Sequence, residues 1–251
     1  MGAFFVGAIY SPWLIAQPVC PTDQPLAAKR IAKVIDGDTL RLNDGTRIRL
    51  ASINTPELRG AAHTPEPYAR KAQQALSAQV QQAGGRLYMP LEPMVQDRYG
   101  RRVTALYTAQ GDDVQALLLG QGLGYFVAFL PDQSDRACLK AQEARARKAR
   151  LGLWRGSAVK TVQTLNAPGF AVVKGKVQAV RVNAKGAWLN LDHALDVYLA
   201  QEVHLALAED IGRYQGREVE VRGWVLKQTR SAQAANSAPW LLRLSHPMML
   251  D

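Results

Sequence analysis

Residues 28–57 alternate apolar and polar side chains around one sharp turn, and this pattern constrains the fold more than any other feature of the chain. Successive side chains of a strand point to opposite faces, so the alternation predicts strands at Lys33-Val34-Ile35, Thr39–Leu42 and Arg47–Leu50. Asn43-Asp44-Gly45 predicts the hairpin turn between the last two strands, and Pro56 ends the run. The stretch therefore predicts antiparallel β structure early in the fold.

Helices and further strands are predicted before residue 157. Pro65-Glu66-Pro67 opens a helix that runs to Gln82 and stops at Gly84-Gly85, because proline suits a first turn and glycine follows a last one. Two more helices are predicted at Val114–Gly120 and Asp135–Arg150, and two strands at Arg86–Leu91 and Arg102–Tyr107. The sequence thus predicts a mainly β unit with packed helices, an α+β fold, over residues 28–156.

Short strands dominate the rest of the chain. Residues 157–168 are read as a linker or as a paired edge segment. Strands are then predicted at Phe170–Val182, Ala187–Leu191, Val197–Leu199, Glu218–Lys227 and Trp240–Leu244, with a helix at Val203–Tyr214. Several short strands with one inserted helix predict a small closed β-barrel over residues 169–251. The polar stretch Ser231–Ala238 is expected to be a hairpin loop.

The start of the chain, residues 1–27, is interpreted as a signal-like or anchoring segment. Residues 1–16 carry no charge, are shorter than the ~20 residues that span a bilayer, and resemble the apolar region of a secretory signal, with Ala16 as a cleavage position. A basic region before them is missing, which leaves an uncleaved membrane tether open. The expected location is periplasmic or secreted, with membrane anchoring as the alternative.

The chain has two cysteines, Cys20 and Cys138. In an oxidising compartment they can form a disulfide, and closing so long a loop would stabilise the fold by ~4–5 kcal/mol. In a reducing compartment they are two unrelated thiols. The signal-like start favours the disulfide.

The formal net charge of +10 favours a polyanionic partner. Nucleic acid and an anionic membrane surface both fit, and so does a merely soluble basic protein. The helix predicted at 135–150 is strongly basic and includes Lys140, which either faces solvent or contacts phosphate. No protein partner is predicted.

A cluster of oxygen ligands and arginines points to phosphodiester chemistry. Asp38, the Asn54 amide and the Thr55 carbonyl are hard ligands for Ca²⁺ or a similar divalent cation. Glu57 can orient or deprotonate a water molecule. Arg49 and Arg101 carry fork-shaped donors that match a phosphate. The alternative is structural: Asp36-Gly37-Asp38 is only a turn, and the arginines only cover strands.

The amino-acid sequences of these segments favour the chemical interpretation over the structural one. The stretch from Val34 to Trp154 resembles the staphylococcal nuclease (thermonuclease) family, and the segments that carry the resemblance are Val34-Ile35-Asp36-Gly37-Asp38-Thr39, Arg49, Asn54-Thr55-Pro56-Glu57, Asp97-Arg98-Tyr99-Gly100-Arg101, Gly120-Gln121-Gly122-Leu123 and Gly152-Leu153-Trp154. The resemblance implies a five-stranded OB-fold barrel with packed helices. It also implies Ca²⁺-dependent hydrolysis of DNA and RNA phosphodiester bonds.

The resemblance implies a role for each matching residue. Asp38 matches a metal-ligand aspartate, Thr55 a carbonyl ligand, and Glu57 the glutamate assigned to the attacking water. The scissile phosphate is matched by Arg49 and Arg101, and the nucleotide by Arg98 and Tyr99. The departure is Asn54, where the family usually has a second metal-binding aspartate. An amide keeps the oxygen but loses one negative charge, so a weaker Ca²⁺ site is expected.

The segment after residue 168 also looks like an OB-type barrel, similar to domains appended to bacterial nuclease homologues. Its basic residues, together with Trp188, Tyr198 and Trp224, form either a nucleic-acid groove or an ordinary core and surface. Two functions remain open at this point. One is a cation-dependent nuclease, and the other is a nucleic-acid-binding or scaffold protein of two OB folds whose catalysis is weakened at Asn54.

Overall fold

The computed structural model describes residues 17–59, 64–91, 95–129, 136–207, 210–228 and 238–251. The signal-like residues 1–16 lie outside these ranges, as does the loop expected at Ser231–Ala238 except for its last residue. No helix among the described residues is long and apolar enough to cross a membrane.

A closed β-barrel forms the first half of the molecule. The strands of this half are β1 (Leu26–Val34), β2 (Thr39–Leu42), β3 (Arg47–Leu50), β4 (Ile53–Asn54), β5 (Arg86–Pro90), β6 (Val95–Gln96), β7 (Arg102–Thr104) and β8 (Tyr125–Phe126). Of these, β4 and β8 pair with each other in a separate two-stranded sheet. The main sheet has the order β5-β1-β2-β3-β7-β6. The barrel closes because Tyr107, just beyond β7, bridges back to Tyr88 of β5. The parallel pairing of β3 with β7 completes the OB-fold arrangement that the resemblance implies.

Three helices pack on this barrel, and all three were predicted to within a few residues. They are α1 (Ala69–Gln82), α2 (Val114–Gly120) and α3 (Arg136–Lys148). The first helix buries Ala72, Leu76 and Val80, which recur every fourth residue along one face. The second helix begins at Asp113, whose carboxylate accepts a hydrogen bond from the Ala116 N–H at 2.8 Å.

A second closed barrel follows. Its strands are β9 (Val159–Thr161), β10 (Gly169–Asn183), β11 (Gly186–Leu191), β12 (Leu195–Ala200), β13 (Glu218–Lys227) and β14 (Trp240–Leu244). The order β11-β12-β14-β13-β10-β9, with a further β10–β11 pairing, makes β10 to β14 a closed cycle. The pairing of β12 with β14 is parallel, as between β3 and β7 of the first barrel. The mainly β fold class, with helices packed on an OB-fold barrel, is therefore confirmed.

Two local features differ from or refine the sequence prediction. The continuous helix predicted at Val203–Tyr214 is wrong, because the structure has α4 (Gln201–Ala206) and a separate 3₁₀ turn at Ile211–Tyr214. The Asp210 carboxylate accepts from the Gly212 N–H at 2.9 Å and thereby starts the new turn. Within residues 157–168, β9 pairs in parallel with β10, so this segment contains a paired edge strand.

A buried ion pair joins the two barrels. A guanidinium nitrogen of Arg222, on β13, lies 2.5 Å from a carboxylate oxygen of Glu143, on α3. The two side chains are only 1% and 2% exposed. The other oxygen of Glu143 accepts from the Phe126 N–H at 2.8 Å. Arg147 of α3 donates two hydrogen bonds, of 2.8 and 2.6 Å, to Glu220 of β13. Buried apolar residues of both barrels form one contiguous cluster around this junction.

A disulfide fixes the segment before β1. Cys20 and Cys138 are bonded, with their Cα atoms 5.7 Å apart, and so connect this segment to α3. Nearby, the Val19 N–H donates to Asp112 at 2.8 Å, and the Val19 carbonyl accepts from the Asp113 N–H at 2.9 Å. Residues 17–20 are therefore held against the loop that precedes α2.

Candidate active site

The turn before β2 places Asp38 at the centre of the candidate site. Gly37 precedes it in a space that no side chain could share, since a Cβ there would lie 2.6 Å from the Ala72 Cβ and 2.7 Å from the Thr55 hydroxyl. The turn thus packs directly against α1 and against the end of β4. The local sequence Asp36-Gly37-Asp38 is what allows a carboxylate to be buried here.

The Asp38 carboxylate, only 4% exposed, is held by several donors. One oxygen accepts from the Thr55 N–H at 2.8 Å and from the Thr55 hydroxyl at 3.0 Å. The same oxygen lies 3.2 Å from an Arg49 nitrogen. The other oxygen accepts from the Thr39 hydroxyl at 3.2 Å. These contacts give both oxygens of the buried carboxylate hydrogen-bond partners.

Arg49 is oriented from β3 by the strand next to it. One guanidinium nitrogen donates to the carbonyls of Leu50 and Ile53, at 2.7 and 2.8 Å. The other nitrogen donates to the Asn54 amide oxygen at 3.1 Å and faces Asp38. Asn54 therefore already serves as an acceptor that positions Arg49.

Arg101 approaches the same turn from the opposite side. Asp97 accepts from the Arg101 Nε at 2.6 Å and from its backbone N–H at 2.9 Å. A further Arg101 nitrogen donates to the Thr39 hydroxyl, a longer contact of 3.4 Å, and that hydroxyl donates to Asp38. Tyr99 is 56% exposed beside the guanidinium groups of Arg98 and Arg101. The structure therefore brings Arg98, Tyr99 and Arg101 together on one turn.

Glu57 lies exposed at the edge of this group, after the end of β4. Desolvation, followed by the negative charges of Asp38 and Asp36, raises the pKa of Glu57 above its ordinary value. Burial and the Asp38 charge likewise raise the pKa of Asp36 to about 6. Sequence reasoning did not name Asp36 as a site residue, although its place two residues before Asp38 in the same turn was the available signal.

The donor set suits a hard cation only with help from neutral oxygens. Within the described ranges, no group of three or more His, Cys, Asp and Glu side chains is arranged to hold a metal ion. The carboxylate of Asp38, the amide oxygen of Asn54 and the carbonyl of Thr55 are nevertheless oxygen donors of the kind that Ca²⁺ prefers. Burial, followed by the negative charge of Asp38, raises the pKa of Asp36, and a cation bound at this turn would offset the repulsion between the two carboxylates.

The structure also defines the surroundings of Lys140, which was named from the sequence, and of the aromatic residues after α2. The Lys140 ammonium pairs with Asp251 and donates to the Met248 carbonyl at 3.2 Å, so its expected nucleic-acid contact has no support from the structure. Among the aromatic residues that follow α2, Phe126 is fully buried, Tyr125 is half-buried and Phe129 is 47% exposed. Phe126 is therefore a core residue.

The site opens into a cleft of about 1120 Å³ between the two barrels. Asn54 and Glu57 line one wall, and Phe170 and Trp224 of the second barrel line the other. A carboxylate cluster with two fixed guanidinium groups, set beside an open cleft on an OB fold, defines a class of site suited to phosphate esters.

Comparison with known proteins agrees with this class. Residues 47–156 match the model of the staphylococcal nuclease homologue family. Over 128 residues the chain is 30% identical to the thermonuclease of Staphylococcus intermedius, covering 49% of this chain and 74% of that protein. It is also 36% identical over 112 residues to a staphylococcal-like nuclease of Arabidopsis thaliana, covering 44% of this chain and 30% of that protein. The chain belongs to the staphylococcal nuclease family. Membership supports a nuclease with a nucleic-acid substrate, and residues 157–251 lie beyond the family match.

Proposed function

We propose that the protein is a Ca²⁺-dependent nuclease that hydrolyses phosphodiester bonds in DNA, RNA or both. The observation that carries this proposal is the network in which Asp38 accepts from Thr55 and pairs with Arg49, while Arg101 contacts Thr39, which in turn donates to Asp38. Nothing in the folding of a β-barrel demands two guanidinium groups around a buried carboxylate. The arrangement is explained if a phosphate is bound there.

The residues divide the work as follows. Asp38, Asn54 and Thr55 would hold the cation, which supplies positive charge for the phosphate oxygens. Arg49 and Arg101 bind the oxygens of the scissile phosphate and stabilise the charge that develops on them. Glu57 accepts a proton from the attacking water, and its raised pKa makes it a stronger base than an ordinary glutamate.

Digestion of plasmid DNA and of RNA tests this proposal. The purified chain should cleave in the presence of Ca²⁺ and lose cleavage with EDTA. Glu57→Gln should lower the rate by ~10²–10⁴-fold, the usual contribution of a general base. Arg101→Ala should lower it by ~10²–10³-fold, as for the loss of one donor to the developing charge. Arg102→Ala, which removes an exposed neighbouring arginine, serves as the matched control.

The second candidate is a nucleic-acid-binding or scaffold protein with weakened catalysis, and Asn54 is the observation that favours it. Binding of DNA or RNA without cleavage, at any Ca²⁺ concentration, would establish this candidate and exclude the nuclease. Retention of Glu57, Arg49 and Arg101 around Asp38 argues for the nuclease, since a binding surface alone does not need a base.

We also propose that the protein is exported to the periplasm or the medium, with retention through residues 1–16 as the alternative. The Cys20–Cys138 disulfide supports an oxidising compartment. Mass spectrometry of the native protein tests this, because cleavage after Ala16 and an intact disulfide each give a defined mass. A full-length chain with free thiols would contradict export.

A further inference from the structure

We propose that the second barrel is part of the substrate-binding site, and that Trp224 and Phe170 stack against bases of a single strand whose phosphate lies at the catalytic residues. This inference rests on the proposed nuclease function and adds a substrate class to it. The ligand is a single-stranded nucleic acid long enough to extend from the first barrel onto the second.

Residues of both barrels line one cleft. Asn54 and Glu57 of the candidate active site, and Phe170 and Trp224 of the second barrel, line the same cavity of about 1120 Å³. Because Arg49 donates to the Asn54 amide oxygen at 3.1 Å, a strand whose phosphate is bound at Arg49 lies next to this cavity. A mononucleotide would fill only part of a cavity of this size.

Trp224 is exposed where the strand would pass. It alternates along β13 with the buried residues Gly223 and Val225, so strand geometry directs its side chain outward. Its ring is 41% exposed and is positioned by Phe170, with ring centroids 5.2 Å apart in an edge-to-face contact. The ring centroid of Phe129, in the first half of the chain, lies 6.0 Å from that of Trp224. A positioned aromatic side chain that is partly exposed is suited to stacking on a base.

Positive charge lies along the same cleft. Arg59, Arg155 and Lys160 line it, and all three side chains are exposed. A strand that stacks its bases on Trp224 would present its phosphates to such cations, since the two features together are the usual basis of single-strand binding. The bases of a duplex already stack on one another, so this surface favours single strands.

A half-buried aromatic pair on β11 and β12 of the second barrel is arranged differently. Trp188 and Tyr198 lie on β11 and β12 with ring centroids 4.5 Å apart, and the Tyr198 hydroxyl donates to the Lys185 carbonyl at 2.7 Å. Neither residue lines the cleft. Trp188 therefore provides a matched control for a tryptophan on the same barrel.

Binding measurements separate this inference from catalysis. Fluorescence anisotropy with labelled single strands is measured in the Glu57→Gln background, in Ca²⁺, for a dinucleotide and for a strand of about ten nucleotides, the order of one OB-fold site. Adding Trp224→Ala should weaken binding of the long strand by about 5- to 150-fold, the loss of one stacked base. Trp224→Phe should restore most of the affinity, and Trp188→Ala should match the parent.

The salt dependence gives a second readout that does not alter the aromatic cluster. For Lys160→Ala, the slope of log K against log salt concentration should become shallower by about 0.7, as for one phosphate contact to a single strand. Thermal unfolding of each variant checks that it folds, and Trp224→Phe and Lys160→Ala keep the test valid if Trp224→Ala does not fold.

Three outcomes overturn the inference: unchanged long-strand affinity in Trp224→Ala, an equal loss for the dinucleotide, or an equal loss in Trp188→Ala. These are independent of the digestion assay. If wild type cleaves but Trp224 does not affect binding, only this inference fails. If Trp224 controls long-strand binding but nothing is cleaved, the nuclease proposal fails and the binding site stands.

Discussion

At the scale of single residues, Asn54 positions Arg49 and is a proposed ligand of the cation. Its amide oxygen accepts a hydrogen bond from Arg49 at 3.1 Å, and the same oxygen is the one available for a cation. An aspartate would keep the contact to Arg49 and would add a negative charge beside Asp38. The neutral amide therefore keeps the geometry of the site but lacks the negative charge that an aspartate would add.

We expect Asn54→Asp to lower the Ca²⁺ concentration needed for half-maximal cleavage, because Ca²⁺ affinity rises with the charge of its ligands. The measurement is a titration of cleavage rate against Ca²⁺ for the variant and wild type. Asn166→Asp adds the same charge at an exposed position in the segment before β10 and serves as the control. An unchanged Ca²⁺ dependence in Asn54→Asp would show that Asn54 is not a ligand.

At the scale of elements, α3 connects most of the molecule. It carries Cys138 of the disulfide, Glu143 of the buried ion pair and Arg147, which bonds Glu220. Its basic residues were read from the sequence as a solvent-facing or phosphate-facing surface. The structure shows that Arg147 and Lys140 instead form ion pairs with acidic residues of the second half.

Replacing both cysteines, in Cys20→Ser/Cys138→Ser, should lower the free energy of unfolding by ~4–5 kcal/mol. The reason is that the disulfide closes a loop with a sequence separation of 118 residues and restricts the unfolded chain. Urea denaturation measures the change. A reductant should destabilise wild type by a similar amount and leave the double variant unaffected. Equal midpoints for oxidised and reduced wild type would contradict the prediction.

At the scale of the whole molecule, the two barrels share one core and one network of charges. Arg222 is almost completely buried and contacts both Glu143 and Glu220, at 2.5 and 3.0 Å. Removing one member of such a network leaves the other charges buried and unpaired, which is strongly destabilising. The cleft proposed to bind substrate depends on this junction, because it holds the wall formed by Trp224 beside the wall formed by Glu57.

The stability of this junction should depend on pH through Glu220. Burial alone would raise the pKa of Glu220, but the hydrogen bond and charge of Arg147 and the charge of Arg222 outweigh it and lower the pKa below 4.5. The folded state therefore binds this proton more weakly than the unfolded state. The stabilisation is complete above the unfolded value and is lost as the pH falls through the lower, folded value.

Glu220→Gln should accordingly reduce the free energy of unfolding at neutral pH, and the difference from wild type should shrink once the pH falls below about 4.5. Urea denaturation over a pH series measures this. Glu218→Gln is the control, because Glu218 pairs with Lys174 at the exposed surface, where an ion pair contributes little. A difference independent of pH would show that Glu220 does not act through its charge.

Local sequence patterns determined most of the elements of this protein. The helix α2 and the strands β2, β3, β13 and β14 have the predicted bounds, because short-range periodicity, turns and glycines define them. The predicted helix at 203–214 failed because one capping interaction at Asp210, which periodicity does not register, begins a separate turn. The individual motif residues of the site were likewise recognisable from the sequence.

Only the tertiary structure decided how these pieces combine. Asp36 accepts from the Asp38 N–H at 3.0 Å in the same turn, and its raised pKa depends on burial, which is a property of the packed fold. The ion pair of Lys140 with Asp251 was not predictable, because Asp251 lies more than a hundred residues away in the chain. Trp224 and Glu57 line the same cleft although they are far apart in the chain, so this relation was not predictable either. The sequence by itself determined which groups are present and which strands they occupy, whereas contacts between distant segments decided their partners, charge states and access to a ligand.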